Sequence, residues 1–283
     1  MEDIKCPLCG KRMKEYKLVK KTAKTYEDCI RKCLNCEIGA SNAKNNSTYI
    51  YKDYQKNVPE VFLEGLDETL KNANNVRNRP SKKIKFGYST SEDAFSWIFT
   101  KYFIHSEIEG LKNILGLEDG IEEILMWGVP QITKQQEYQK SLIDICKQLG
   151  ERKNSYSEPD IIVISKSEII FIEVKLKSSN DKKEIKDDKY FVKDYYADWA
   201  KAKNSKCYEL VRNWTIGNLF AKGKSMRLIN LAPESTLNDK QLEVFENSLK
   251  DPKRFQKMSW KSVFSSSPGV KTLLQKRYDA IVK

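Results

Sequence analysis

Two runs near the middle of the chain, Ile161-Ile-Val-Ile164 and Ile169-Ile-Phe-Ile172, are apolar at every position. A strand points successive side chains to opposite faces. A run that is apolar throughout must therefore bury both faces, which requires a sheet covered on each side. Lys166-Ser167 makes the short polar turn that joins the two runs. Helical patterns surround them: apolar spacing predicts helices over 59–73, 90–103, 135–149, 190–203, 206–221, 237–249 and 269–278, with a further strand over 226–231. Thr90 and Asp93 form a capping-box pattern at the start of the second of these helices, and Gly150 and Gly223 mark stops. Helices before, between and after short strands predict an α/β sandwich around a mixed sheet.

Charged residues at the ends of these runs carry the chemistry. Pro159-Asp160 opens the first run, and Glu173-Val174-Lys175 closes the second. Period two sets Glu173 and Lys175 on one face and Val174 on the other. Lysine and glutamate are almost never buried without a partner, so a central strand that ends in both implies that they meet something. Two carboxylates can hold a divalent metal, and a lysine beside them can steady an attacking water. That combination suits hydrolysis of a phosphodiester.

The strings Glu158-Pro159-Asp160 and Glu173-Val174-Lys175 resemble the PD-(D/E)xK nuclease superfamily. Upstream, Ser91-Glu92-Asp93-Ala94-Phe95-Ser96-Trp97 is similar to the Ser-Glu-Asp-Ala-x-Thr-Trp signature of its bacterial restriction-endonuclease-like members. Serine stands at 96 where threonine is common, and Ile98 follows the tryptophan. Downstream, Tyr208 to Trp214 and then Met226 to Leu231 are similar to the helix and strand that follow the core hairpin in those proteins. The resemblance covers residues 86–233. It implies a restriction-endonuclease-like core in which Asp160 is the principal metal ligand, Glu173 the second, and Lys175 the lysine. The Val174 backbone carbonyl would complete the protein's share of a Mg²⁺ or Mn²⁺ shell, and Glu92 would be the first-helix acid, with Asp93 as its rival. Lys175 would orient or deprotonate the attacking water, or stabilise the pentavalent state. Tyr208 and Arg212, one turn apart, face either the site or the core. The lone histidine, His105, rules against a histidine-based nuclease and reads as an ordinary helix-end residue.

Near the N-terminus, Cys6-Pro-Leu-Cys9-Gly10 and Cys33-Leu-Asn-Cys36 form two Cys-x-x-Cys pairs separated by 23 residues. Each pair lets two thiolates chelate one ion, so together they predict a tetrahedral site for one structural Zn²⁺. Gly10 suits the turn that folds backbone beneath the sulfurs. So short a module has too few apolar residues to fold unaided, and zinc would supply the missing stability. It resembles a zinc ribbon. Lys11, Arg12, Lys14, Lys17, Lys20, Lys21 and Lys24, interleaved with Tyr16 and Tyr26, are placed to grip phosphates; the alternative is a ribbon that docks protein, with solvated lysines. Cys29 is a spare near the set, and Cys146 and Cys207 fall in helical patterns as small buried hydrophobes.

Lysine and arginine outnumber acids 51 to 39 over 283 residues, a net charge of +12 that favours polyanions. Reduced, metal-ready cysteines and the lack of an apolar N-terminal run predict a cytoplasmic protein with no membrane partner. The expected domains are a zinc ribbon over 1–46, a helix and linker over 47–85, and the nuclease domain over 86–283. The functional expectation is a Mg²⁺-dependent endonuclease that cuts DNA in restriction or defence. Its rivals are a catalytically silent nucleic-acid-binding protein with the same fold, and a repair, recombination or transposition nuclease. A double-strand cut needs two active sites, which would make the enzyme a homodimer.

Overall fold

The computed structural model describes residues 4–15, 22–42, 48–176, 180, 183–186 and 188–282. They form two compact units that interleave in sequence: Met1–Leu70 with Asn78–Ile98, and Lys71–Arg77 with Phe99–Lys283. The segment expected to be helix and linker thus contributes to both.

The first unit is built on a four-stranded antiparallel sheet in chain order, β1 (Lys14–Glu15), β2 (Arg31–Cys33), β3 (Ile38–Ala40) and β4 (Tyr49–Tyr51). Its small core gathers Ile4, Met13, Ile38 and Ala40 around Cys6 and Cys33. The predicted 59–73 helix is broken: Gly65, at φ +77°, separates a single turn at Glu60–Phe62 from α1 (Leu66–Asn72). Such a φ costs glycine nothing and cannot continue a right-handed helix. The end of the 47–85 segment expected to be helix and linker folds as α2 (Arg79–Phe86), with a proline in its first turn, where the missing N–H is harmless. Lys82 of α2 is buried against Asp93 at 3.3 Å. Next, α3 (Glu92–Ser106) begins two residues later than predicted. The Ser91 hydroxyl, not Thr90, accepts the Ala94 N–H at 3.2 Å and caps it.

The second unit holds a mixed six-stranded sheet. After α4 (Ile108–Leu115) come β5 (Ile121–Met126), β6 (Val129–Pro130) and α5 (Gln136–Gln148). The two apolar runs form β7 (Ile161–Ser165) and β8 (Glu168–Val174), an antiparallel pair whose register matches Ile161 with Ile172. Beyond them lie α6 (Trp199–Asn204), α7 (Tyr208–Ala221), β9 (Ser225–Ala232), α8 (Glu234–Leu237), α9 (Lys240–Glu246), β10 (Phe255–Ser259), α10 (Trp260–Ser266) and α11 (Pro268–Val282). Strand order is β10-β9-β8-β7-β5-β6, with β9 parallel to β8 and to β10 and the rest antiparallel. The central position of β7 and β8 is the reason both of their faces are apolar.

Several predicted helices are shorter here because local caps intervene. Residues 191–198 are not helical, and α6 starts where Asp198 accepts the Lys201 N–H at 3.0 Å. Likewise Asp239 accepts the Gln241 N–H at 3.0 Å and restarts the chain as α9, dividing the predicted 237–249 helix. α5, α6, α7 and α9 cover the sheet face formed by Ile162, Ile164, Ile169, Phe171, Met226, Leu228 and Phe255. Gly217 lets α7 lie close to the sheet, since a Cβ there would sit 2.4 Å from Met226 Cε and 3.2 Å from Phe171. Among the described residues no helix is long and apolar enough to cross a membrane.

Candidate functional site

Pro159 keeps Glu158 extended and hands the chain into β7. The preceding segment is pinned from two sides. Glu151 accepts the Ser157 N–H at 2.7 Å and the Tyr190 hydroxyl at 2.8 Å, and Glu158 accepts the Asn75 N–H at 2.7 Å. Asp160 lies one step before the Ile161–Ile172 pair, so the continuing antiparallel register sets it opposite Glu173. Its Oδ2 accepts the Val174 N–H at 2.8 Å, which ties the mouth of β7 to the end of β8. Alternation places Glu173 on the same face as Phe171, beneath α7, while Val174 is buried on the other. Lys175, just past the strand, is held by its N–H to the Leu231 carbonyl (2.9 Å) and by its carbonyl, which accepts from Trp260 Nε1 (3.0 Å).

Asp160, Glu173 and Lys175 are thus brought together at one end of the central strands, and the latter two are buried. Lys175 Nζ donates to Glu173 Oε1 at 2.7 Å and to Glu209 Oε2 at 2.5 Å. Asn213 Nδ2 donates to the other oxygen of Glu173 at 2.8 Å, and Arg212 Nε donates to Asn213 Oδ1 at 3.2 Å. Burial and the neighbouring Asp160 push the Glu173 carboxyl well above the usual range. Burial alone would push Lys175 down, but Glu173 and Glu209 hold its ammonium well above its ordinary value. Burial would likewise raise Glu209, yet Lys175 and Arg212 pull it down to about 2. The result is a desolvated cluster of opposite charges.

The sequence reading missed Glu209 and Asn213. They fall four residues apart on α7, with Gly217 a further turn along, and together mark the helix face that meets the sheet. Arg212 serves this cluster and also stacks over Tyr208 at 5.8 Å. The predicted first-helix acid, Glu92, belongs to the first unit, in the opening turn of α3, where acids complement the helix dipole. Its rival Asp93 is paired with Lys82. His105 lies in the exposed last turn of α3.

A second candidate site lies in the first unit. The sulfurs of Cys6, Cys9, Cys33 and Cys36 all lie within 4.8 Å of one another, with Cys9 and Cys33 at 3.7 Å. Four thiolates about 2.3 Å from one ion would stand roughly 3.8 Å apart. This group can hold a metal ion such as zinc. The first turn closes through Gly10 N–H to the Cys6 carbonyl at 2.9 Å, with Gly10 at φ +69°. The second turn passes through Glu37, which Lys52 and Lys56 grip at 2.7 and 2.8 Å, pulling its carboxyl down to about 2. Hydrogen bonding from the Lys11 backbone lowers Cys9 to about 7. Cys29 stands outside the set, its thiol donating to the Thr25 carbonyl at 3.3 Å and pushed up to about 11 by burial. Cys146 and Cys207 are buried in the second unit's core. Lys11, Arg12, Lys14 and Lys24 are exposed, and Lys32 covers the Tyr26 ring at 5.0 Å. Tyr16, Lys17, Lys20 and Lys21 lie outside the described residues.

Comparison with protein-family models, with curated proteins and with solved structures finds no match.

Proposed function

We propose that the chain is a divalent-metal-dependent nuclease of the PD-(D/E)xK class that hydrolyses DNA phosphodiesters in the cytoplasm, with the four-cysteine module as a zinc ribbon that grips substrate. One observation carries this reading: Asp160, Glu173 and Lys175 converge on one face at the end of the central antiparallel pair. A sheet in which that pair is extended by the parallel strand β9 supports a restriction-endonuclease-like core.

The donor set fits a hard cation. Asp160 and Glu173 supply carboxylate oxygens, the ligands Mg²⁺ and Mn²⁺ prefer, and the Val174 carbonyl would complete the protein's share. Glu173 resists ionisation beside Asp160, a penalty that a divalent ion between them would remove. When bound, such an ion supplies Lewis acidity and neutralises charge on the phosphate. The protein's own groups do the rest. Lys175, kept cationic by two carboxylates, donates to the oxygens of the phosphate as negative charge builds there. Glu209 and Asn213 hold Lys175 and Glu173 in place from α7. The surplus of lysine and arginine draws the polyanion in.

The test is cleavage of plasmid and single-stranded DNA in Mg²⁺, Mn²⁺ or chelator. Cleavage should require the metal and disappear in Asp160→Ala and Lys175→Ala. Metal-independent cleavage, no cleavage of any substrate, or unchanged cleavage in both variants would overturn the assignment. Cutting of both plasmid strands in one encounter would favour a homodimer.

A further inference from the structure

Asn230 lies inside β9, wholly buried at 0% exposure, and among the described residues neither its amide nitrogen nor its amide oxygen has a hydrogen-bond partner. Native interiors rarely leave a buried amide unserved on both ends. Its position is specific. In register it stands beside Glu173 of β8 on one side and Lys257 of β10 on the other. Parallel neighbours in register share a face, and Phe171, Leu228 and Phe255, two residues earlier on the three strands, all enter the core beneath α7. Glu173, Asn230 and Lys257 therefore form one polar row across three adjacent strands, and Asp160, just before β7, continues it.

The members on either side are already committed. Lys257 Nζ pairs with Glu246 at 2.8 Å, and the Glu173 oxygens accept from Lys175 and Asn213. What remains for the Asn230 amide is a small polar guest, and a water with two to four polar partners is the common occupant of such a place.

We propose that Asn230 is a third member of the cation site: its amide orders a water shared with Glu173, and a divalent ion held by Asp160 and Glu173 retains that water in its hydration. Mg²⁺ gives up its waters reluctantly, so a site built to hold one suits it. The proposal rests on the reading of Asp160 and Glu173 as cation ligands. Asn230 acts here as a positioning residue.

The test is a Mn²⁺ titration of the zinc-loaded full chain, with free Mn²⁺ followed by electron paramagnetic resonance and folding by circular dichroism. Wild type should bind, and Asp160→Asn should abolish binding. Asn230→Leu should stay folded but weaken Mn²⁺ on the order of tenfold, the usual effect of losing a group behind a metal ligand. Asn230→Asp, which adds a carboxylate at nearly constant volume, should tighten Mn²⁺. Wild-type affinity in a folded Asn230→Leu overturns the proposal, and so does unchanged affinity in Asn230→Asp, whatever the leucine variant does. If Asp160→Asn binds Mn²⁺ as wild type does, or wild type does not bind, the acid pair is not a cation site and the role of Asn230 fails with it.

Discussion

Replacing Lys175 by methionine keeps the volume of the side chain and removes its charge, which isolates the electrostatics of the buried cluster. Lys175 and Glu173 are 8% and 3% exposed along their side chains and meet at 2.7 Å, so solvent screens this pair little. Breaking a buried pair by removing one partner typically costs about 3–5 kcal/mol, because the other charge stays behind uncompensated. Glu209 loses its closest cation in the same step, but at 24% exposure it can recover water. The expected loss is therefore dominated by Glu173, which burial and Asp160 already push well above the usual carboxylate range, so the loss is largest in alkaline buffer and shrinks as the acid takes up a proton. For a unit of this size, about 2–4 °C of melting temperature accompanies each kcal/mol. A fall on the order of 10 °C follows, measured by calorimetry without chelator or added divalent metal. The double variant Lys175→Met with Glu173→Gln should recover more than half of that loss, since the stranded charge is gone. A single variant within about 1 kcal/mol of wild type, or a double variant no more stable than the single, would refute the argument, because the acid would then not depend on Lys175.

Metal analysis should find one zinc per chain, lost in Cys6→Ser, and chelation should unfold the first unit's small core, seen by proteolysis near β2 and β3. Thiol labelling at pH 7.5 should be slow in the zinc-loaded protein. Burial pushes Cys146 and Cys207 up to about 12 and Cys29 to about 11, so each stays a thiol, and chelation should release the four ligand sulfurs and, as the first unit opens, Cys29, while Cys146 and Cys207 stay unlabelled. Glu123→Ala should destabilise the second unit by about 1–3 kcal/mol, measured by urea titration. Its wholly buried carboxylate accepts the N–H groups of Ile124, Gln131, Ile132 and Thr133, of which the buried Ile124 N–H would be stranded, while Gln131 keeps the Ile124 carbonyl and the exposed Ile132 and Thr133 can turn to water. Gly39→Ala should destabilise the first unit by about 1–3 kcal/mol. A Cβ at that position would lie 2.4 Å from the buried Cys29 Sγ, and a melt of the first unit's tyrosine signal reads the loss.

Where the chain signals through short-range rules, reading and structure agree. Period two was enough to place Glu173 and Lys175 on one face, and two apolar runs joined by Lys166-Ser167 were enough to pair β7 with β8. The spacing of Cys6, Cys9, Cys33 and Cys36 was enough to group four sulfurs. Element ends were less legible, because single residues such as Gly65, Ser91, Asp198 and Asp239 override a helical pattern through their backbone geometry or caps. β5 was missed because Glu122 and Glu123 interrupt its apolar pattern. The second of these is buried by a loop that follows it in sequence, and that loop's backbone donors are not written in residue types.

By itself, then, the sequence determined the local chemistry: which acids and lysine flank the central strands, and which cysteines pair. Only the tertiary structure decided what meets them. Glu209 and Asn213 reach Lys175 and Glu173 because Gly217 lets α7 close on the sheet. Asn230 stands beside Glu173 because β8 and β9 pair in parallel at a register set by packing across fifty residues of intervening chain. Local periodicity carries no information about such a register, since parallel partners are joined through a long crossover and fixed only by the core they share.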